Sequence, residues 1–92
     1  FTTTELAYAK DNATTLAGNF AVKEAVSKVF GTGFFGVEPY EIEVLRNESG
    51  APYVKLYGKA KEIAKDKQVS RIHVSITNTR EFAQAFAIGE CV

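Results

Sequence analysis

The sequence predicts one small domain of the α+β class, in which a largely antiparallel sheet packs against a long helix. The chain has 92 residues, of which 46% are hydrophobic and 24% are charged, and this length suits one domain rather than two. Apolar residues follow a helical period in the first third and alternate as in strands later. The resulting order is helices, hairpin, helix, hairpin, which favours an antiparallel sheet over alternating β-α-β units.

Two helices are predicted at the amino end. The pattern Thr2-x-x-Glu5 is a capping box and predicts a short helix that ends near Ala9. Asn12 can cap a second, longer helix, and Gly31 can end it in the left-handed conformation. The apolar residues of this helix recur at spacings of three and four: Leu16, Phe20, Val22, Val26, Val29 and Phe30.

The rest of the chain predicts two hairpins around a third helix. Apolar and polar residues alternate over 41–46 and 53–57, with Asn, Gly and Pro between them, so we expect two half-buried strands and a turn. Residues 59–67 suit a short amphipathic helix with a solvated outer face. Alternation returns over 71–77, and a last strand is expected over about residues 82–88.

Charge and composition exclude several classes of protein. Eleven basic and eleven acidic residues give a formal net charge of zero, which argues against a general nucleic-acid binder or a protein held to anionic lipid. We expect no membrane span, because no apolar run approaches ~18 residues, and a cytoplasmic location, because the amino end lacks the features of a secretory signal. The lone Cys91 is interpreted as an inert thiol.

Length and methionine content set two further expectations. A domain of this size buries only about 60 to 65% of the surface that its unfolded chain exposes, so contacts between subunits are expected to add stability. The chain contains no methionine, even at Phe1. We therefore expect residues 1–92 to form one domain of a processed or longer protein, with some working parts upstream.

Two local patterns have weak functional meaning. Residues 31–36 match G-x-G-x-x-G, but the motif follows a helix rather than a strand, so a helix-terminating loop is favoured over a dinucleotide site. His73, the only histidine, lies on the polar face of its predicted strand. A half-exposed strand histidine is favoured there, and a base or phosphate donor stays open.

Glu24 and Lys28 lie one helical turn apart on the long helix. One interpretation is an ordinary ion pair on a solvated face. The other is that Glu24 holds Mg²⁺ while Lys28 meets phosphate oxygens. Mg²⁺ suits such a sparse site, since it often takes one or two carboxylates and completes its octahedron with water and substrate phosphates. The chemistry of the residues leaves both open.

Residues 16–28, followed by Gly31-Thr32-Gly33, resemble the signature helix and loop of the holo-[acyl-carrier-protein] synthases, which are small 4′-phosphopantetheinyl transferases. The likeness includes residues 1–2 and 5–8 before this segment and residues 42–45, 49–53 and 72–79 after it, and it covers essentially the whole chain. It implies transfer of the phosphopantetheine arm of coenzyme A to a carrier-protein serine, with release of adenosine 3′,5′-bisphosphate.

The resemblance also implies roles for individual residues. Glu24 matches the metal ligand, for Mg²⁺, and Lys28 matches a lysine that contacts phosphate or helps to deprotonate the serine; both are the predicted catalytic residues. The predicted coenzyme contacts are Lys23, Lys28, Gly31, Thr32, Gly33, Ser75, Thr77, Asn78 and Thr79.

The implied partners are coenzyme A, an acidic acyl carrier protein and two further copies of the chain in a homotrimer. The coenzyme would bind between neighbouring subunits, and exposed lysines with Arg80 are candidates for carrier docking.

The chain departs from the family pattern at three places. The second metal-binding aspartate belongs to a strand that would precede Phe1. Asn19 stands where the bacterial pattern has Arg, and Asn78 stands where it has His, so two cationic groups are replaced by amides. A noncatalytic assembly or carrier-binding module, or the transferase domain of a larger synthase, are the alternatives.

Overall fold

A computed structural model describes residues 1–79 and 81–91 of the chain. The predicted α+β class and the predicted order of elements are both confirmed. The helices are α1 (Thr3–Ala9), α2 (Ala13–Val29) and α3 (Gly58–Asp66), with a 3₁₀ turn at Pro39–Glu41. The strands are β1 (Ile42–Arg46), β2 (Pro52–Leu56), β3 (Val69–Asn78) and β4 (Ala83–Cys91).

The helix ends form where the capping residues predict them. The Thr2 hydroxyl accepts from the Glu5 amide at 3.2 Å, and the Glu5 carboxylate accepts from the Thr2 amide at 3.2 Å. Asn12 Oδ1 accepts from the Thr15 amide at 3.0 Å and opens the 17-residue helix α2. Gly31, with φ of 77°, turns the chain away after α2.

The strands form two separate antiparallel pairs, whereas the sequence predicted one sheet. Strand β1 pairs with β2, and β3 pairs with β4. Between the edges of β2 and β3 lies a small cavity of about 140 Å³, lined by Val54, Leu56, Val69, Ser70, Arg71 and Ile72. In the described residues β2 and β3 are separated by side chains and this cavity and form no backbone ladder, so the sheet is not continuous.

Strand β1 is more buried than the half-buried strand that alternation predicted. Ile42, Glu43 and Val44 are all buried. The Glu43 carboxylate accepts hydrogen bonds from the Thr2 hydroxyl at 2.6 Å and from the Tyr57 hydroxyl at 2.9 Å. The start of α1 therefore covers the face of β1 that the pattern assigned to solvent.

Helix α2 packs closely on the β3–β4 hairpin because small residues face it. A Cβ atom at Gly89 would lie 2.7 Å from Val29 Cγ1, and one at Gly18 would lie 3.1 Å from Ile76 Cγ2. The larger residues of β4 point outward, and Phe86 and Ile88 are 69% and 67% exposed. The core consists of Val22, Val26, Phe30, Val37, Ile42, Val44, Ala60 and Ala64.

The apolar series of α2 includes two residues, Leu16 and Phe20, that are not part of the core. Phe20 stays 41% exposed, with its ring packed against those of Phe1 and Phe34. Within residues 1–79 and 81–91, none of the helices has the length and apolar character needed to cross a bilayer.

Candidate functional site

Glu24 and Lys28 share an open cleft of about 430 Å³ between α2 and β4. This α2–β4 cleft is lined by Ala21, Glu24, Ala25, Lys28, Ala83, Gln84, Ala85 and Phe86. Both charged side chains are exposed, and across the described part of the chain the two groups make no ion pair within 4.0 Å. The carboxylate and the ammonium are therefore both free to meet a ligand.

The donor set of this cleft fits a phosphate-bound divalent cation better than a closed metal site. Glu24 is the one carboxylate among the lining residues, and the described residues hold no group of three potential metal-ligating side chains. Mg²⁺ commonly takes one or two carboxylates and completes its coordination with water and phosphate oxygens. Lys28 lies where a cation can offset the charge of such phosphates.

Lys23 does not fit the coenzyme contact that was predicted for it. Its side chain is fully buried at 0% exposure. The ammonium donates to Glu5 Oε1 at 2.7 Å, to the Pro39 carbonyl at 2.9 Å and to the Ile42 carbonyl at 2.5 Å. An ammonium has three hydrogens to donate. These three oxygens accept all of them, so none is left for water or for a coenzyme phosphate.

Asn19 is buried in the same polar cluster rather than at a coenzyme surface. Its amide nitrogen donates to Glu5 Oε2 at 3.4 Å, and its oxygen accepts from Arg46 Nη2 at 2.8 Å. The Arg46 guanidinium lies 5.6 Å from the centre of the Tyr8 ring. Asn19 thus links α1, α2 and β1, a structural role that the family pattern did not indicate.

The Gly31-Thr32-Gly33 loop uses its amides to close the end of α2. The Gly31 amide donates to the Lys28 carbonyl at 2.9 Å, and those of Thr32 and Gly33 donate to the Ser27 carbonyl at 3.3 and 3.2 Å. The left-handed φ values of Gly31 and Gly33, 77° and 56°, make this turn possible. A coenzyme contact by this loop stays a prediction, and these amides are not free to provide it.

The predicted contacts of the last hairpin extend from the α2–β4 cleft to the amino-terminal end of α2. Ser75 and Thr77 are exposed on β3, opposite Phe86 and Gln84 of β4. Thr79 lines a cleft of about 160 Å³ together with Ala13, Thr14, Ala17, Glu81, Phe82 and Ala83. The side chain of Asn78 lies against Gly18.

The Gly31–Gly33 loop and Thr79 lie at opposite ends of α2 within one chain. Thr79 shares its cleft with Ala13, the first residue of α2, and a helix of 17 residues at 1.5 Å per residue is roughly 26 Å long. The structure brings Glu24 and Lys28 together but does not join Gly31–Gly33 to Thr79 in one pocket. Arg80, a candidate for carrier docking, lies outside the described residues.

Two residues of the α2–β4 cleft were missed by sequence reasoning. Gln84 and Phe86 line it from β4, together with Ala83 and Ala85. Strand alternation was the available signal, because small residues at 83, 85 and 87 indicate which face of β4 packs inward. The side chain of His73 is 54% exposed, and its Nε2 lies 2.8 Å from Glu90 Oε1. The prediction of a half-exposed histidine on a strand is therefore confirmed.

Comparison with known proteins gives the family. Residues 1–89 match the family described as the 4′-phosphopantetheinyl transferase superfamily. The chain is 62% identical over 76 residues to a holo-[acyl-carrier-protein] synthase of Lachnoclostridium phytofermentans, covering 83% of this chain and 62% of that protein. It is 43% identical over 93 residues to one of Halothermothrix orenii, covering 98% and 74%.

Solved structures give the same result. The Helicobacter pylori holo-[acyl-carrier-protein] synthase in complex with coenzyme A has a TM-score of 0.87 and 26% identity, covering 98% of this chain and 76% of that one. The synthase from Neisseria meningitidis also has a TM-score of 0.87 and 26% identity, covering 98% and 75%. The chain therefore belongs to the 4′-phosphopantetheinyl transferase superfamily, within its holo-[acyl-carrier-protein] synthase family.

Proposed function

We propose that this chain transfers the 4′-phosphopantetheine group of coenzyme A to a serine of an apo acyl carrier protein in the cytoplasm, releasing adenosine 3′,5′-bisphosphate. The observation that carries the proposal is the pairing of Glu24 and Lys28 in the α2–β4 cleft, without an ion pair between them. The relatives that bear the synthase name, and the relative solved with coenzyme A, support it.

The proposed reaction forms one P–O bond, breaks another and releases the serine proton. The serine oxygen attacks the β-phosphorus, the bridging P–O bond of the pyrophosphate breaks, and the bisphosphate leaves with the electron pair. Phosphoryl transfer needs mainly positioning and offset of charge. Lys28 binds and orients the phosphate oxygens, and the serine proton passes to the solvent that the open cleft admits.

Glu24 is the proposed ligand of Mg²⁺. When bound, Mg²⁺ neutralises charge on the pyrophosphate. Among the described residues that line the cleft, Glu24 is the one carboxylate, and a second ligand from a strand upstream of Phe1 is part of this proposal. Residues 1–92 would then be the main part of one transferase domain.

We propose that the working form is a homotrimer. Phe82, just before β4, and Phe86 and Ile88 of β4 are 68%, 69% and 67% exposed, and burial against a neighbour would remove this apolar surface from water. A neighbouring copy would also bring Ser75 to Thr79 of one chain toward the Gly31 loop of another. Light scattering should give three times the chain mass, and Phe86→Lys should lower it; a monomeric native protein contradicts the trimer.

The transfer itself is tested by mass spectrometry of an apo carrier protein after incubation with this protein, coenzyme A and Mg²⁺. The native protein should add the mass of one phosphopantetheine, and Glu24→Gln should not. Glu62→Gln is the matched control, since Glu62 is an exposed carboxylate of α3 outside the cleft. No mass gain with several carriers would overturn the proposal in favour of a noncatalytic binding module.

A further inference from the structure

The buried end of Lys23 ties α2 to three other elements. Its ammonium donates to Glu5 of α1, to the Pro39 carbonyl of the 3₁₀ turn and to the Ile42 carbonyl at the start of β1. The ring of Phe1 lies 5.6 Å from the same nitrogen. A helix held at one residue by three separate partners has little freedom to turn about its axis there.

Glu5, the partner of Lys23, is held as firmly. It is also fully buried; its Oε1 accepts from the Thr2 amide at 3.2 Å, and its Oε2 accepts from Asn19 Nδ2 at 3.4 Å. In the described residues no buried side-chain nitrogen or oxygen lacks a hydrogen-bond partner. Replacement of a buried ion pair by a well-packed hydrophobic pair often leaves the stability of a protein unchanged or raises it. What this pair adds is a fixed direction for the side chains involved.

The residue next to Lys23 is Glu24, the proposed metal ligand. Successive helical residues are about 100° apart, so an inward-pointing Lys23 sets the direction in which Glu24 leaves the helix. On the cleft side of α2 the neighbouring residues are Ala21 and Ala25, and their single methyl groups offer no polar contact that fixes the rotation of the helix.

We propose that Lys23 and Glu5 form a positioning pair that sets the rotation of α2 and so aims the Glu24 carboxylate into the α2–β4 cleft. Lys23 acts through Glu24 and touches neither coenzyme nor carrier protein. This inference rests on the proposed function and deepens it, because it assigns a role to a lysine that sequence reasoning placed on the coenzyme.

The size of the effect follows from helix geometry. A side-chain group about 6 Å from the helix axis moves by roughly 1 Å for each 10° of rotation. Binding sites need their groups held within about 0.5 Å, and a misplacement of about 1 Å can reduce function by about 100-fold. A modest loss of rotational control at Lys23 is therefore enough to weaken the metal site.

The test is binding of Mn²⁺, a paramagnetic substitute for Mg²⁺, measured by electron paramagnetic resonance in the presence of coenzyme A. The main variant is the double substitution Glu5→Gln with Lys23→Met, which removes both charges and keeps side-chain volume. The control is Val44→Ala, a core substitution in β1 that lowers the melting temperature and leaves the Lys23 contacts in place.

We expect the native protein and Val44→Ala to bind Mn²⁺ equally and the double variant to bind it about tenfold or more weakly. Far-ultraviolet circular dichroism checks that each variant is folded. A folded double variant with native Mn²⁺ affinity overturns the positioning pair and leaves the proposed function standing. Native protein that binds no Mn²⁺ with coenzyme A overturns the metal role of Glu24, and with it the pair.

If the double variant does not fold, Glu5→Gln alone decides the matter. This substitution keeps an oxygen for Lys23 to bind and removes only the charge. A smaller loss of Mn²⁺ affinity in the same direction supports the positioning pair. Native affinity in folded Glu5→Gln overturns it.

Discussion

Helix α2 takes part in two pairs of one lysine and one glutamate, and the two pairs have opposite environments. The pair Lys23 and Glu5 is fully buried and joined at 2.7 Å. Glu24 and Lys28 are exposed in the α2–β4 cleft and form no ion pair with each other. Each pair consists of one lysine and one glutamate, so residue type does not distinguish the two pairs. Lys23 and Glu24 are adjacent in the chain and differ in the side of α2 from which they project. The side of α2 that meets α1 and β1 holds Lys23, and the part of its β4 side that carries Glu24 and Lys28 is open to a ligand.

The largest effect should come from breaking the buried pair. Lys23→Ala leaves the Glu5 carboxylate buried without its cation, which costs about 3 to 5 kcal/mol, a large share of the 5 to 15 kcal/mol typical of a domain. Urea unfolding measures the loss. Lys28→Ala is the matched control and should change the free energy of unfolding by less than about 0.5 kcal/mol. Equal losses in the two variants would show that the burial contrast is wrong.

The second-largest effect concerns the exposed pair and is measured as transferase activity. Lys28→Ala removes a cation proposed to contact phosphate, which is worth about 1.5 to 3 kcal/mol, or roughly ten- to a hundredfold in rate. Steady-state kinetics with coenzyme A should show this loss in kcat/KM. Lys65→Ala, a substitution of an exposed lysine in α3, should leave kcat/KM unchanged. Equal kinetics for the two variants would remove Lys28 from the site.

A third prediction concerns the side of α2 that packs on β4. Gly89→Ala places a methyl group 2.7 Å from Val29 Cγ1, and overpacking of this kind costs about 1 to 3 kcal/mol. Gly18→Ala should cost less, since its nearest neighbour, the Cγ2 methyl group of Ile76, would be 3.1 Å away. Thermal unfolding of both variants checks the order, and the reverse order would contradict the described packing.

The smallest effect is a pH dependence at Glu43. The pKa of Glu43 lies below its ordinary value of 4.5. The hydrogen bond from Thr2 lowers this pKa most. The hydrogen bond from Tyr57 and the charges of Lys55 and Lys23 also lower it, and burial opposes them. The ionised group therefore stabilises the fold above pH 4.5, and this contribution is lost as the pH falls through the lowered pKa.

Glu43→Gln should flatten the fall in stability at acid pH. Urea unfolding between pH 3 and 7 measures the change, with Glu62→Gln as the exposed control. A native and a Glu43→Gln protein with parallel pH profiles would contradict the role of these hydrogen bonds.

Local signals in the sequence predicted the elements well, because caps and periodicity act over a few residues. Thr2, Asn12 and Gly31 mark the helix ends that form. The gap between the hairpins was not predictable, since it depends on how distant segments pack. Resemblance to the family identified Glu24 and Lys28, and the structure places both in one cleft.

The buried cluster was missed because lysine is rarely buried without a partner. Its partner Glu5 lies 18 residues away and on another helix. A signal was present, however: Asn19, Lys23 and Ser27 recur every four residues and are all buried on α2. Polar residues that recur with the helical period beside an apolar series indicate a buried polar face of the helix. This interpretation needs a second helix with a carboxylate that can pair with the buried lysine.

A crystal structure with Mg²⁺ and coenzyme A bound tests the central claim most directly. The account predicts a cation at about 2.0 to 2.1 Å from the Glu24 carboxylate, with the Lys28 ammonium on phosphate oxygens and that of Lys23 still on Glu5. A cation bound away from Glu24, or a Lys23 side chain turned out of its buried position onto the coenzyme, would contradict it.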